Sequence, residues 1–177
     1  MNELCYTPYS LAILITIRDL SEKKIARFLE IIWKYENHLL DPKYRESFRN
    51  FILDTYYWIH YFYDKTTLDA EFPSVQKDML GVGGSAGSDK FTSEFPDLDL
   101  FFQNMRIRII YDGYQDYVRI KLRTLLKAYG YQRRSKLLMD YMNHCMDSLR
   151  LKVFLRGGVQ CTLQEANLDD MLTFRAF

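Results

Sequence analysis

Eight consecutive residues, Gly81-Val82-Gly83-Gly84-Ser85-Ala86-Gly87-Ser88, hold four glycines, two serines and a single side chain larger than methyl that is apolar. A stretch of that composition behaves as flexible chain rather than as part of a helix or strand. It fits a native loop or an added linker equally. Helical periodicity stops at about Phe72 and regular patterning returns at about Asn104, so the break divides the sequence. We expect a helical subdomain over 1–72, a flexible connector over 73–104 and a second subdomain over 105–177.

The first part reads as helices. Thr7-Pro8 suggests a helix start, while the β-branched Ile13, Ile15, Thr16 and Ile17 would also suit a strand; we expect a helix. Ser21 is a plausible N-cap with Leu20 and Ile25 as a hydrophobic staple across it. Ile25, Phe28, Leu29, Ile32, Leu39 and Leu40 follow with helical spacing. Asp41-Pro42 predicts a fresh helix with Asp as cap and Pro in the first turn. Its apolar face is Phe48, Phe51, Ile52, Thr55, Ile59 and Phe62, and Tyr57, His60 and Tyr61 fall nearer the other side. After the glycine-rich stretch, Pro96 with Asp97, Asp99 and the apolar Leu98, Leu100, Phe101 and Phe102 suggests a short helix.

From Met105 the pattern changes. Ile107, Ile109 and Tyr111 alternate with Arg106 and Arg108 as in a half-buried strand, and Asp112-Gly113 is a strong hairpin signal. A strand near Tyr117–Ile120 is expected to run directly into a helix that ends at Gly130, where a left-handed cap suits glycine. A second helix over Gln132 to Leu149 would turn Leu137, Leu138, Tyr141, Met142, Cys145 and Leu149 inwards. A hairpin follows, with Val153 and Leu155 before a Gly157-Gly158 turn and Val159, Cys161 and Leu163 after it. Met171 to Phe174 would close the sheet. The fold class expected is α+β, mainly helical.

Charge separates along the chain. The whole carries a formal +1, yet residues 105–177 hold 13 Lys/Arg against 7 Asp/Glu, while residues 1–104 hold 11 against 16. An acidic part joined to a basic part points to a polyanionic partner, or to pairing between the two parts. The longest apolar run, Leu11 to Ile17, is far short of the roughly 20 residues a spanning helix needs, and Glu3 with no preceding Lys or Arg is unlike a signal peptide. No membrane association is expected. Three scattered cysteines (Cys5, Cys145, Cys161) do not make a disulfide framework; free thiols and a cytoplasmic location are the simpler expectation.

The order helix, glycine-containing break, longer helix with Arg133 and Arg134 at its start, then a β-hairpin with a Gly-Gly tip resembles a winged helix-turn-helix module. The resemblance covers roughly Tyr117 to Phe174 and rests on element order. It implies that the helix near Gln132 enters a major groove of double-stranded DNA. Arg133, Arg134 and Lys136 would then read base edges or clamp phosphates, and Arg156 at the hairpin tip would touch the flanking backbone. Arg123 and Lys127 complete the basic set. A planar guanidinium suits both tasks. The competing reading is that these arginines pair with acidic residues of the N-terminal part, or that the module docks proteins.

Catalytic signatures are lacking. His38, His60 and His144 are scattered, and no cysteine or histidine pair has metal-ligand spacing. The glycines at 81–87 lack the Gly-Lys-Ser/Thr ending of a phosphate loop. Asp97/Asp99 and Asp169/Asp170 lack the nearby lysine a metal-dependent nuclease would use, and caps or solvated turns account for them. We expect no cofactor, no metal and no enzyme. The function expected is non-catalytic nucleic-acid binding, DNA first, or a regulatory role. The alternative is a protein-interaction factor, a complex subunit, inhibitor or homodimer, that uses an acidic aromatic helical face with Tyr57, Tyr61 and Tyr63.

Overall fold

The computed structural model describes residues 3–62 and 95–177. The glycine-rich stretch, most of the expected connector and Tyr63 lie outside the described residues. The architecture is α+β and mainly helical. Among the described residues it has six α-helices: α1 (Pro8–Ile17), α2 (Glu22–Tyr35), α3 (Phe48–Tyr61), α4 (Pro96–Tyr111), α5 (Leu122–Ala128) and α6 (Lys136–Ser148). Four strands, β1 (Val118–Lys121), β2 (Leu151–Phe154), β3 (Gln160–Cys161) and β4 (Met171–Ala176), form one antiparallel sheet in the order β1-β4-β2-β3.

Local chemistry explains most of the boundaries. At α1 the helix reading is the right one: Thr7 and Ser10 exchange side-chain and backbone hydrogen bonds as a reciprocal capping box, and Pro8 occupies the first turn. Asp41-Pro42 starts only a 3-10 turn, Pro42–Tyr44, in which the Asp41 carboxylate accepts from the Lys43 amide at 2.9 Å. The helix proper begins later, where Ser47 caps the amide of Asn50. Gly130 sits at φ 75 and ends α5 with a double cap: its amide donates to Lys127 O, and the Tyr131 amide reaches back to Leu126 O.

The stretch from Met105 to Tyr111 is not a strand. It is the second half of α4, and Asp112-Gly113 is the turn that follows that helix rather than a hairpin tip. Ile109 continues a stripe that begins at Leu98 and runs through Phe101, Phe102 and Met105 at helical spacing, while Ile107 and Tyr111 lie on the opposite side of the same helix, which is covered too. Its polar members are buried with partners. Gln103 donates to Cys5 O at 2.8 Å, Asn104 accepts from the Arg18 guanidinium at 2.7 Å, and Arg106 forms a buried pair with Glu36. A helix covered on nearly every side has no solvent face to reveal its period, and two or three residues of apparent alternation then mimic a strand.

α4 lies at the centre of the molecule. Phe101, Phe102, Met105, Ile107 and Ile109 belong to one buried cluster with Leu11 to Ile15 of α1, Leu29 and Ile32 of α2, Leu138, Met142 and Cys145 of α6, and Leu172 and Phe174 of β4. Leu137 was expected to face inwards, but it is 59% exposed. The expected start of its helix at Gln132 also moves to Lys136, and the inward stripe runs through Leu138, Met139, Met142, Cys145 and Met146. Asp97 and Asp99 are buried in the first turn of α4 rather than solvated, where the positive end of the helix dipole favours them. Tyr141 donates a 2.5 Å hydrogen bond to Asp99.

All three cysteines are free thiols, and their environments differ. Cys145 is fully buried, and burial with the neighbouring Asp99 carboxylate drives its thiol well above the ordinary range. Burial, followed by the charge of Asp41, raises the Cys5 thiol to about 11. At pH 8 a two-unit rise leaves about a hundredfold less thiolate than a free cysteine has. Peptide mass spectrometry after timed alkylation of the native protein should therefore show Cys161 labelled first, Cys5 about a hundredfold more slowly than a free thiol, and Cys145 only on unfolding.

Candidate nucleic-acid interface

The basic residues singled out by sequence fall in two environments. Arg133 and Arg134 precede α6 rather than opening it, because the Ser135 hydroxyl takes the amide of Leu138 at 3.1 Å and fixes the helix start there. Arg133 and Lys136 are exposed beside that first turn. Arg134 reaches across to the segment before β4, where its guanidinium donates to Ala166 O at 2.5 Å and Gln164 O at 3.4 Å. Its main contact is therefore structural. Arg123, at the start of α5, holds Asp169 through two hydrogen bonds of 2.7 and 2.9 Å. That partner keeps the Asp169 carboxyl below the usual range. Lys127 is exposed on α5, and Arg156 is exposed at the β2–β3 tip beside Gly157 and Gly158, whose φ values are 93 and 82.

The middle of α6 is partly covered. Gln164 donates to Asp140 at 2.9 Å and accepts from Asn143 at 2.5 Å, so the segment between β3 and β4 lies along the outer side of the helix. Positive charge is open at the first turn of α6, and Asp140 and Asp147 follow it further along. Among the described residues, no N-terminal carboxylate forms an ion pair with Arg133, Arg134, Lys136, Lys127 or Arg156.

A second basic surface escaped the sequence reading. Strands alternate their side chains between two faces, and the register sets which residues share one. Ile120, Leu172, Phe174, Leu151 and Val153 point into the core, so Arg119, Lys121, Thr173, Arg175, Lys152 and Phe154 take the opposite face. On that face Arg119 and Arg175 both lie against the ring of Tyr117, at 4.6 and 5.5 Å from its centroid, and Lys152 sits 4.3 Å from that of Phe177. Arg175 also pairs with Asp116. An open hollow of about 750 Å³ lies on this face, and a second of about 910 Å³ runs round the outer edge of β1, where core-facing Ile120 and Phe101 also line it; both are bounded by Arg119 and Met171. One extends to Arg156 and Arg175 at the hairpin side, the other to Lys121 and Arg108 at the α4 side. The signal was present in the sequence as Arg119 and Lys121 alternating with Val118 and Ile120. Lys152 and Arg175, which complete the face, are contributed by strands whose neighbours only the register reveals.

Two further placements bear on function. On α3, Leu53, Tyr57 and Tyr61 are exposed by 57, 64 and 40% at intervals of four residues, which makes a single stripe. Among the described residues, no group of three or more His, Cys, Asp or Glu side chains is placed to hold a metal ion. No helix among them is long and apolar enough to cross a membrane. No family model, curated protein sequence or solved structure matches this chain.

Proposed function

We propose that the protein binds nucleic acid without catalysis, DNA being the expected ligand, through its basic C-terminal half. The observation that carries this reading is the placement of charge. Arg133 and Lys136 at the start of α6, Arg156 at the β2–β3 tip and Arg119 and Lys152 on the open face of the sheet stand exposed or half-exposed, and among the described residues none of them forms an ion pair. The sequence of elements from α4 through β1, α5 and α6 to β2 and β4, with β1 hydrogen-bonded beside β4, supports a winged-helix-like arrangement. In that arrangement Arg133 and Lys136 would meet duplex phosphates or bases, and Arg156 would reach the neighbouring backbone. A regulatory role would follow from occupancy of a site rather than from turnover.

The test uses duplex DNA and fluorescence anisotropy at low salt. Arg133→Ala/Lys136→Ala is the informative variant, because Arg134 and Arg123 also hold the β3–β4 segment and Asp169. Loss of two phosphate-facing cations is expected to weaken duplex binding about tenfold. Absence of duplex binding by the wild type, or an unchanged affinity in the variant, would remove α6 from the reading.

A second reading, a protein-interaction factor, is favoured by the exposed Leu53-Tyr57-Tyr61 stripe, because tyrosines in such a stripe suit a protein interface. If that stripe forms a homodimer seam, light scattering at micromolar concentration should give twice the chain mass for wild type and the chain mass for Tyr57→Ala. A single-chain mass for wild type would discard the homodimer.

A further inference from the structure

We infer that the open face of the sheet is a track for a single strand of nucleic acid, distinct from the surface at the start of α6. The inference rests on the nucleic-acid reading above and adds a site and a ligand class to it. Three observations carry it. First, the face is unusually basic for a half-solvated antiparallel sheet: Arg119, Arg175 and Lys152 project from it, Arg156 stands at one end and Lys121 at the other. Among the described residues the acidic groups beside its cations are Asp116, paired with Arg175, and Asp169, which is held by Arg123 and also acts on Lys121.

Second, the cations are interleaved with aromatic rings. Tyr117 lies between Arg119 and Arg175, Phe154 stands across β4 from Arg119, and Phe177 is 62% exposed over Lys152. Tyr114, in the turn that leads to β1, is 93% exposed. Phosphates on the cations with bases stacked on the rings is how unpaired strands are held, and a stacked duplex offers no base faces to such rings. Third, the hollow on the face and the one round the β1 edge adjoin at Arg119 and Met171, which line both, so basic surface runs from Arg156 and Arg175 to Lys121 and Arg108. Thr173 lies beside Arg119 in the register and lines the hollow on the face.

The charge defines a polyanion and the rings define exposed bases, which together fit a single-stranded polynucleotide. The experiment measures anisotropy of the full chain with three labelled probes of about 12 nucleotides, a length suited to a short sheet platform: oligo-dT, the corresponding duplex, and an abasic strand with the same phosphates. Arg119→Gln/Lys152→Gln, both on the sheet face and neither assigned to duplex contact, is compared with Arg133→Gln/Lys136→Gln. Oligo-dT binding should fall about tenfold in the sheet variant and less than twofold in the α6 variant, and the abasic strand should bind at least tenfold more weakly than oligo-dT. Photocrosslinking of iodinated oligo-dT to the wild type should label peptides that carry Tyr117, Phe154 or Phe177, which gives a readout independent of how the variants fold. Equal affinity for the abasic strand, an unchanged sheet variant, or crosslinks confined to residues 131–137 would overturn the track. Duplex binding lost only in the α6 variant, with no binding of oligo-dT, would leave the general reading standing and this one refuted. If none of the probes binds, both fall.

Discussion

Arg106→Ala is expected to lower the unfolding free energy by about 3–5 kcal/mol, as removal of one member of a buried ion pair does. Arg106 and Glu36 meet at 3.0 Å with side chains only 6 and 5% exposed. The guanidinium also donates to Leu149 O at 2.8 Å and Arg150 O at 3.3 Å, and Tyr111 donates to the same carboxylate at 2.9 Å. The pair therefore ties the end of α2 and the centre of α4 to the turn between α6 and β2. Alanine at 106 would leave the Glu36 carboxylate without its counter-charge and Leu149 O without its guanidinium donor in the interior, while Arg150 O keeps the Phe177 amide, and the loss comes mainly from those abandoned groups. Burial and the Glu36 carboxylate together push the Tyr111 hydroxyl above its ordinary range, so it remains a donor at neutral pH. Denaturant unfolding of wild type, Arg106→Ala, Glu36→Ala and the double variant measures the coupling. The double variant should be less destabilised than the sum of the singles, because neither charge is then left alone. Strict additivity would mean the pair is not coupled as described.

Phe174→Ala is expected to cost a similar about 3–5 kcal/mol, for a different reason. Phe174 is fully buried in β4, which hydrogen-bonds to β1 on one side and β2 on the other, and its ring lies 6.3 Å from that of Phe102 on α4. The substitution removes the contact that presses the sheet onto the central helix and leaves a cavity in a close-packed region. Phe174→Leu refills most of that volume and should cost less than half as much. Thermal and denaturant unfolding check both. A loss under about 1 kcal/mol for alanine would mean that the sheet is not anchored through Phe174.

Much of this architecture was legible in the residues. Thr7-Pro8 provides a cap with a hydrogen bond behind it; Ser21 stands at the N-cap of α2 without a side-chain cap bond, and Ser47 and Ser135, which do cap α3 and α6, lie past the starts expected at Asp41-Pro42 and Gln132. The direct passage from β1 into α5, the Gly130 cap, the Gly157-Gly158 tip and the strand from Met171 follow from turn chemistry and alternation. The reading failed at α4, and for a physical reason. Periodicity reveals a helix only when one side meets water, and the residues from Leu98 to Ile107 are buried on all sides, with Gln103, Asn104 and Arg106 hydrogen-bonded to distant partners. Nothing local announces that Arg106 is an interior residue, because its partner Glu36 lies 70 positions away.

The candidate site divides in the same way. Arg133, Lys136 and Arg156 were visible as a cluster at a helix start and a glycine tip. The engagement of Arg134 with Ala166 O and of Arg123 with Asp169 depends on how the β3–β4 segment folds back over α6. The basic sheet face depends on which strands are neighbours. Lys152 and Arg175 are adjacent only because β4 inserts between β1 and β2.

The nucleic-acid reading is tested most directly by the salt dependence of wild-type binding to duplex DNA, followed by anisotropy between about 50 and 200 mM salt. With Arg133, Lys136 and Arg156 on phosphates, the logarithm of the association constant should fall with the logarithm of salt at a slope of about −2.7, a loss of roughly 40-fold over that range. Binding that is absent at the lowest salt, or that does not change across the series, would contradict it.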